Sequence, residues 1–184
     1  LCDCTGYRLD GTDTEPGMYV GIIINRSLAD TTDSVTGLGD IHALVNAIGE
    51  MRRVAREAGF IAIKVDDIAE VNARFGFDAG DRVLAESAAC LMDCSRGKGR
   101  LFRSTGPMFV ALFDELGPEA IDELANEIER FLGSPVLIGS LEYQPPIRVA
   151  TLHLDAVNRQ PVSILNELKA LLGKAVQVPG TKLD

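Results

Sequence analysis

Apolar positions along the chain recur in two periods, and their alternation sets out the fold. Ile41, Leu44, Val45, Ile48, Met51 and Ala55 fall on one stripe at helical spacing, with Glu50, Arg52, Arg53 and Arg56 off it. That predicts a helix ending at Gly59. Phe60–Val65 is a short apolar run rich in β-branched residues and predicts a central strand. Helices are expected over about Asp67–Phe75, closed by Gly76, and over Asp81–Ser95. Arg100–Phe113 predicts two strands around a hairpin turn at Thr105-Gly106-Pro107-Met108. Pro118 suits the first position of a helix whose stripe is Ile121, Leu124, Ala125, Ile128 and Phe131. Strands over Val136–Tyr143 and Ile147–Leu154, and a last helix over Val162–Leu172, complete the order α-β-α-α-β-β-α-β-β-α. Adjacent β runs joined by short turns imply antiparallel pairing. The expected class is therefore α+β, a mainly antiparallel central sheet covered by helices.

Residues 1–32 read differently. Gly, Asp and Thr clusters surround one apolar run, Met18–Ile24, with Leu1–Leu9 as a partner strand across a Gly11–Gly17 turn. This gives three segments: an N-terminal strand segment over 1–32, one domain over 33–178 and a tail over 179–184.

With 184 residues, 46% of them hydrophobic, the chain can fill one full-sized core. A net charge of −9 lacks the basic footprint of a nucleic-acid binder. No apolar run approaches the ~20 residues that cross a bilayer, and no charged-then-apolar leader follows Leu1. The expectation is a cytoplasmic domain cut from a longer protein, without membrane insertion. Cys2, Cys4, Cys90 and Cys94 are read as reduced thiols, the helical Cys90/Cys94 pair as small core residues rather than metal ligands. His42 and His153 sit in no arrangement that suggests catalysis.

Three strings in order resemble the GGDEF family of bacterial diguanylate cyclases. Asp33-Ser-Val-Thr-Gly-Leu38 is similar to the family's D-x-L-T-G-L. Asp66-Asp67-Ile68-Ala69-Glu70-Val71-Asn72, followed by Gly76 and by Gly80-Asp81, is similar to D-x-D-x-F-K-x-x-N-D-x-x-G-H-x-x-G-D, with the Asn-to-Asp spacing kept. Arg103-Ser104-Thr105-Gly106-Pro107-Met108-Phe109 stands where R-x-G-G-D-E-F belongs. The resemblance implies the palm of nucleotide cyclases, a ferredoxin-like architecture, and it covers roughly residues 33–175. The segment 1–32 resembles the tail of a PAS-type sensor module.

In the family, two GTP-loaded domains meet and each 3′-hydroxyl attacks the other's α-phosphate, with divalent cations held by carboxylates. Here the first metal carboxylate falls on Lys64 and the other on Pro107, so no catalytic residue is assigned and Asp66 is the remaining metal candidate. Thr105 replaces the first Gly of the signature and Met108 its second acid. The family's phosphate-binding Lys falls on Ala69, and the late Lys is one place off at Lys174. The resemblance implies Asn72 and Asp81 as guanine ligands; the alternatives are a surface helix residue for Asn72 and a helix N-cap for Asp81. Lys64 and Arg103 are candidates for phosphate contact, although Lys64 reads equally as an ordinary strand residue and Arg103 as the partner of a surface carboxylate. Arg96 is a remnant of the product-binding R-x-x-D.

The leading reading is a catalytically inactive GGDEF domain of a cyclic di-GMP signalling protein, acting as a regulatory, dimerising or GTP-sensing module. Its alternatives are a diguanylate cyclase with an atypical metal site and a cyclic di-GMP receptor through Arg96. The leading reading requires no cofactor, and Mg²⁺ enters only with residual cyclase activity. Its partners are GTP, other domains of the same polypeptide and a second copy of the chain.

Overall fold

The computed structural model describes residues 2–9, 18–25, 31–54, 57–95, 97–132, 134–181 and 183. They fall into two units, divided between Thr31 and Thr32. In the first, β1 (Cys2–Leu9) pairs antiparallel with β2 (Met18–Asn25), from Cys2↔Asn25 to Leu9↔Met18. The expected Gly11–Gly17 turn lies outside the described residues.

The second unit opens with α1 (Ile41–Val54), capped by Asp40, whose Oδ1 accepts from the backbone N–H groups of His42 and Ala43 at 2.8 Å each. After it come β3 (Ala58–Val65), α2 (Ile68–Phe75), α3 (Phe77–Ser95), β4 (Arg100–Arg103), β5 (Met108–Asp114) and α4 (Pro118–Leu132). The chain closes with β6 (Val136–Ile138), β7 (Leu141–Tyr143), β8 (Ile147–Leu154) and α5 (Pro161–Lys174). The main sheet has strand order β4-β5-β3-β8, antiparallel throughout. This is the α+β arrangement expected, and it is ferredoxin-like in its strand order.

Strand alternation sorts the side chains of β3 between two cores. Ala58, Phe60 and Ala62 join Leu44, Ile48 and Met51 of α1 and Ile164, Leu168 and Leu172 of α5. Ile61, Ile63 and Val65 face the opposite way, toward Val71 of α2, Val83 and Leu91 of α3, and Ile121 and Ile128 of α4. With helices on both faces, β3 is buried along its length apart from Lys64, which explains its near-continuous apolar run.

Four expectations change. Gly59 does not end α1 but lies inside β3, where a Cβ would come within 2.1 Å of Ile121 Cδ1; glycine stands there because α4 packs against the strand. Val136–Tyr143 is not one strand but the hairpin β6–β7, turned at Gly139 with φ +63° and separate from the main sheet. Phe131 is exposed, because the buried stripe of α4 runs Ile121, Ala125, Ile128, Leu132. Finally, α3 starts at Phe77 rather than Asp81, so Asp81 sits inside the helix and is not its N-cap.

Candidate functional site

The three strings meet at one end of the sheet. Asp33 and Arg103, from the first and third, form a largely buried ion pair: Arg103 NH1 lies 2.9 Å from Asp33 Oδ1 and 3.2 Å from Oδ2. Asp33 Oδ1 also accepts from the backbone N–H and hydroxyl of Thr36, at 2.9 and 2.7 Å. Burial pushes the Asp33 pKa up, but the hydrogen bonds from Thr36 and Arg103 and the guanidinium charge outweigh it, and the carboxyl is held below its ordinary value. Arg103 Nε donates to the carbonyl of Gly106 at 3.0 Å. Arg103 is thus a brace between the Asp33 turn and the signature turn, with its guanidinium turned onto these partners. Arg103→Lys keeps the charge but not the planar fork that spans both. It is expected to lower stability by about 1–2 kcal/mol, measured by urea unfolding.

The signature turn is tight. Ser104 N–H donates to Met108 O at 2.8 Å, and Gly106 takes φ +58°, which favours the one glycine retained from the pair. Met108 and Phe109 are buried on opposite faces of the sheet, in the α1/α5 core and the α2–α4 core respectively. Thr105 is exposed. Pro107 has no N–H to give, but its carbonyl accepts from Val65 N–H at 3.1 Å and so extends the β3–β5 ladder past the strand end.

Asp66 follows the last residue of β3. It is buried, 5% exposed, and both of its oxygens are engaged. Lys64 Nζ lies 2.6 Å from Oδ1, and Gln177 Nε2 donates to Oδ2 at 2.8 Å. Arg148 Nε lies 3.0 Å from Oδ2, an ion-pair distance that does not meet hydrogen-bond geometry. The backbone holds the residue too, since Asp66 N–H donates to Pro146 O at 2.8 Å. Burial raises the Asp66 pKa, but the hydrogen bonds from Lys64 and Gln177 and the charges of Lys64 and Arg148 win, and the carboxyl sits below its ordinary value. Sequence reasoning found Lys64 but neither Arg148 nor Gln177. Asp67 stands at the N-cap position of α2 in the left-handed region at φ 61°, without a side-chain cap hydrogen bond, and is exposed.

This donor set does not fit a divalent cation. Mg²⁺ takes six oxygens in near-octahedral array, most of them from water and phosphate, and needs one or two free carboxylates from the protein. The buried carboxylate here is covered by an ammonium, a guanidinium and an amide, and the turn opposite offers Pro107. Among the described residues no group of three or more His, Cys, Asp or Glu is placed to hold a metal. The Cys90/Cys94 pair lies elsewhere, on α3; burial, with the neighbouring Cys90 second, pushes the Cys94 thiol up to about 12.

Beside Asp66 a cleft of about 550 Å³ runs from Pro107 and Lys64 along the start of α2 to Asn72. Asn72 Oδ1 is buried without a hydrogen-bond partner. Its amide packs on Gly80, where a Cβ would lie 2.0 Å from that oxygen. Asp81 follows on α3 and is exposed. The structure therefore brings Asn72, Lys64, Asp66 and Pro107 to one cleft, with Asp81 one residue beyond the Asn72 contact. Arg96 lies outside the described residues.

A ferredoxin-like antiparallel sheet with the signature hairpin at its end is the palm of nucleotide cyclases. Residues 30–171 match the family described as "Diguanylate cyclase, GGDEF domain", and the chain belongs to the GGDEF family. Its relatives include the cyclic di-GMP phosphodiesterase PdeR of Escherichia coli (strain K12), 29% identical over 119 residues that make up 64% of this chain and 18% of that protein. The diguanylate cyclase DgcS of Shewanella oneidensis is 29% identical over 84 residues, 44% of this chain and 28% of its own length. The chain thus spans less than a third of either relative. Among solved structures, the FimX GGDEF domain from Pseudomonas aeruginosa superposes with a TM-score of 0.74 at 16% identity, covering 80% of this chain and 94% of that one. Among the described residues no helix is long and apolar enough to cross a membrane.

Proposed function

We propose that this chain is the regulatory GGDEF domain of a cytoplasmic cyclic di-GMP signalling protein, one that binds GTP in the Asn72 cleft and does not cyclise it. The observation that carries this reading is the state of Asp66: the buried carboxylate at the cleft is neutralised from within by Lys64 and Arg148 and hydrogen-bonded by Gln177. Cyclisation needs negative oxygen donors to hold cations against the triphosphate. Cations of the protein itself occupy that place here. Asn72 supports a guanine pocket because it lines the cleft and its buried amide oxygen has no partner within the protein, a state that costs about 1–3 kcal/mol and that a rotation of the amide off Gly80 onto a purine N–H would relieve. On this reading the domain reports nucleotide to the rest of its polypeptide or to a second copy.

Titration calorimetry with GTP and ATP, beside a cyclic di-GMP assay in Mg²⁺ or Mn²⁺, tests it. GTP is expected to bind more tightly than ATP, with no cyclic di-GMP formed. Gly80→Ala adds only a methyl to a helix, where alanine is the better former, yet it displaces the Asn72 amide. It is expected to weaken GTP binding about tenfold while the fold stays intact by circular dichroism. Sustained formation of cyclic di-GMP would sink the proposal.

A further inference from the structure

On the α5 side of the signature turn lies a second recess of about 290 Å³, sharing Lys64 and Pro107 with the Asn72 cleft. Its polar wall is Lys64, Arg148, Lys169 and Thr105, and it holds no acidic residue. Strand alternation explains the convergence. Lys64 and Arg148 stand directly opposite each other in the antiparallel β3–β8 register, on the α5 face of the sheet, and Lys169 comes from α5. Like charges directly opposite destabilise a strand pair. Asp66 touches both and supplies one negative charge against their two positive ones, and it lines the Asn72 cleft rather than this recess. Lys169 makes no ion pair among the described residues. Lys64 uses one of three ammonium protons on Asp66, and Arg148 faces that carboxylate with Nε, which leaves its two terminal amino groups for other partners. A chain of net charge −9 thus concentrates uncompensated positive charge in one small hollow next to its nucleotide cleft.

We infer that this recess binds the polyphosphate end of a ligand as the free anion, without a metal ion, so that divalent cations oppose binding instead of supporting it. The inference rests on the proposed nucleotide reading for its ligand's source, but its chemistry needs only a polyphosphate. The ammonium and guanidinium groups supply charge-assisted hydrogen bonds to phosphate oxygens. A Mg²⁺ chelated to the same oxygens removes that negative charge and would meet Lys64 head-on.

The experiment is calorimetric titration of the whole chain with inorganic tripolyphosphate and with GTP, each in EDTA and in excess Mg²⁺. Tripolyphosphate is expected to bind in EDTA, and Mg²⁺ to weaken both ligands about tenfold. Lys169→Ala removes an exposed side chain in a helix that alanine favours, so the fold is retained. It is expected to weaken tripolyphosphate about fivefold or more and to flatten the salt dependence. If GTP binds but Mg²⁺ tightens it and Lys169→Ala changes nothing, this inference fails and the nucleotide reading survives. If tripolyphosphate binds as tightly as GTP in EDTA, with the Lys169 effect, the anion site stands and the guanine reading fails. Absence of tripolyphosphate binding in EDTA overturns the inference outright.

Discussion

Asp66→Asn is expected to destabilise this protein by about 2–4 kcal/mol at neutral pH, read as a lower urea midpoint and a melting temperature lower by about 4–16 °C. The amide keeps the shape but withdraws the one charge lying between Lys64 and Arg148, which face each other across the β3–β8 ladder. Removing one partner from a buried ion cluster leaves the others desolvated and repelling. The side chains of Lys64 and Arg148 are 41% and 30% exposed, so water screens part of the loss and the lower half of the range is favoured. Adding Lys64→Met to Asp66→Asn should recover about 1 kcal/mol by removing the repulsion, and a double variant no more stable than Asp66→Asn would contradict the account. The effect is also pH-dependent. The folded carboxyl titrates below its ordinary value of 3.8, so its contribution is complete above that value and disappears as pH falls through the lower folded one. The gap between the parent and Asp66→Asn should therefore close below about pH 4. Asp33, shifted the same way, weakens both proteins in that range and leaves the difference intact.

Gly59→Ala should cost about 2–3 kcal/mol, for a reason unrelated to charge. The new methyl would lie 2.1 Å from Ile121 Cδ1 and 2.4 Å from Cγ1, and Ile121 is 1% exposed in the α2–α4 core. Either α4 moves off the sheet or Ile121 leaves its rotamer. Ile121→Ala alone should cost about 2–5 kcal/mol through the cavity it leaves. Combined, the Gly59 methyl partly refills that cavity, so the double variant should be more stable than the sum of the two losses by about 1 kcal/mol or more. Strict additivity in urea unfolding would show that the two positions do not touch.

How much of this could be read in advance differs from residue to residue. The stripes of α1 and α4 and the run in β3 were legible because burial on one or both faces writes a period into the chain. Gly59 misled because a glycine after an amphipathic stretch is also the usual stop signal of a helix; the methyl-sized approach of Ile121 leaves no local trace. Asp81 looked like a cap because it follows a glycine, yet α3 had already begun at Phe77. The Asp33–Arg103 brace was present only as two separate strings, since nothing in either states that the other is its partner. At Asp66 the sequence revealed the neighbour two residues away, Lys64, and was silent about Arg148 and Gln177, which belong to a strand and a segment far along the chain. Long-range ion pairs carry no period, and a single Arg in a strand reads as a surface residue.

The hydrogen bond from Gln177 to Asp66 joins residues 111 positions apart, and this orders events during synthesis. At a ribosomal rate of about 5–20 residues per second, Gln177 is added roughly 6–22 s after Asp66. Until then Oδ2 of Asp66 lacks its amide donor, even after Arg148, its ion partner, has been added. The charges around Asp66 are complete once Arg148 has been added, and the neutral amide that finishes its hydrogen bonding comes last.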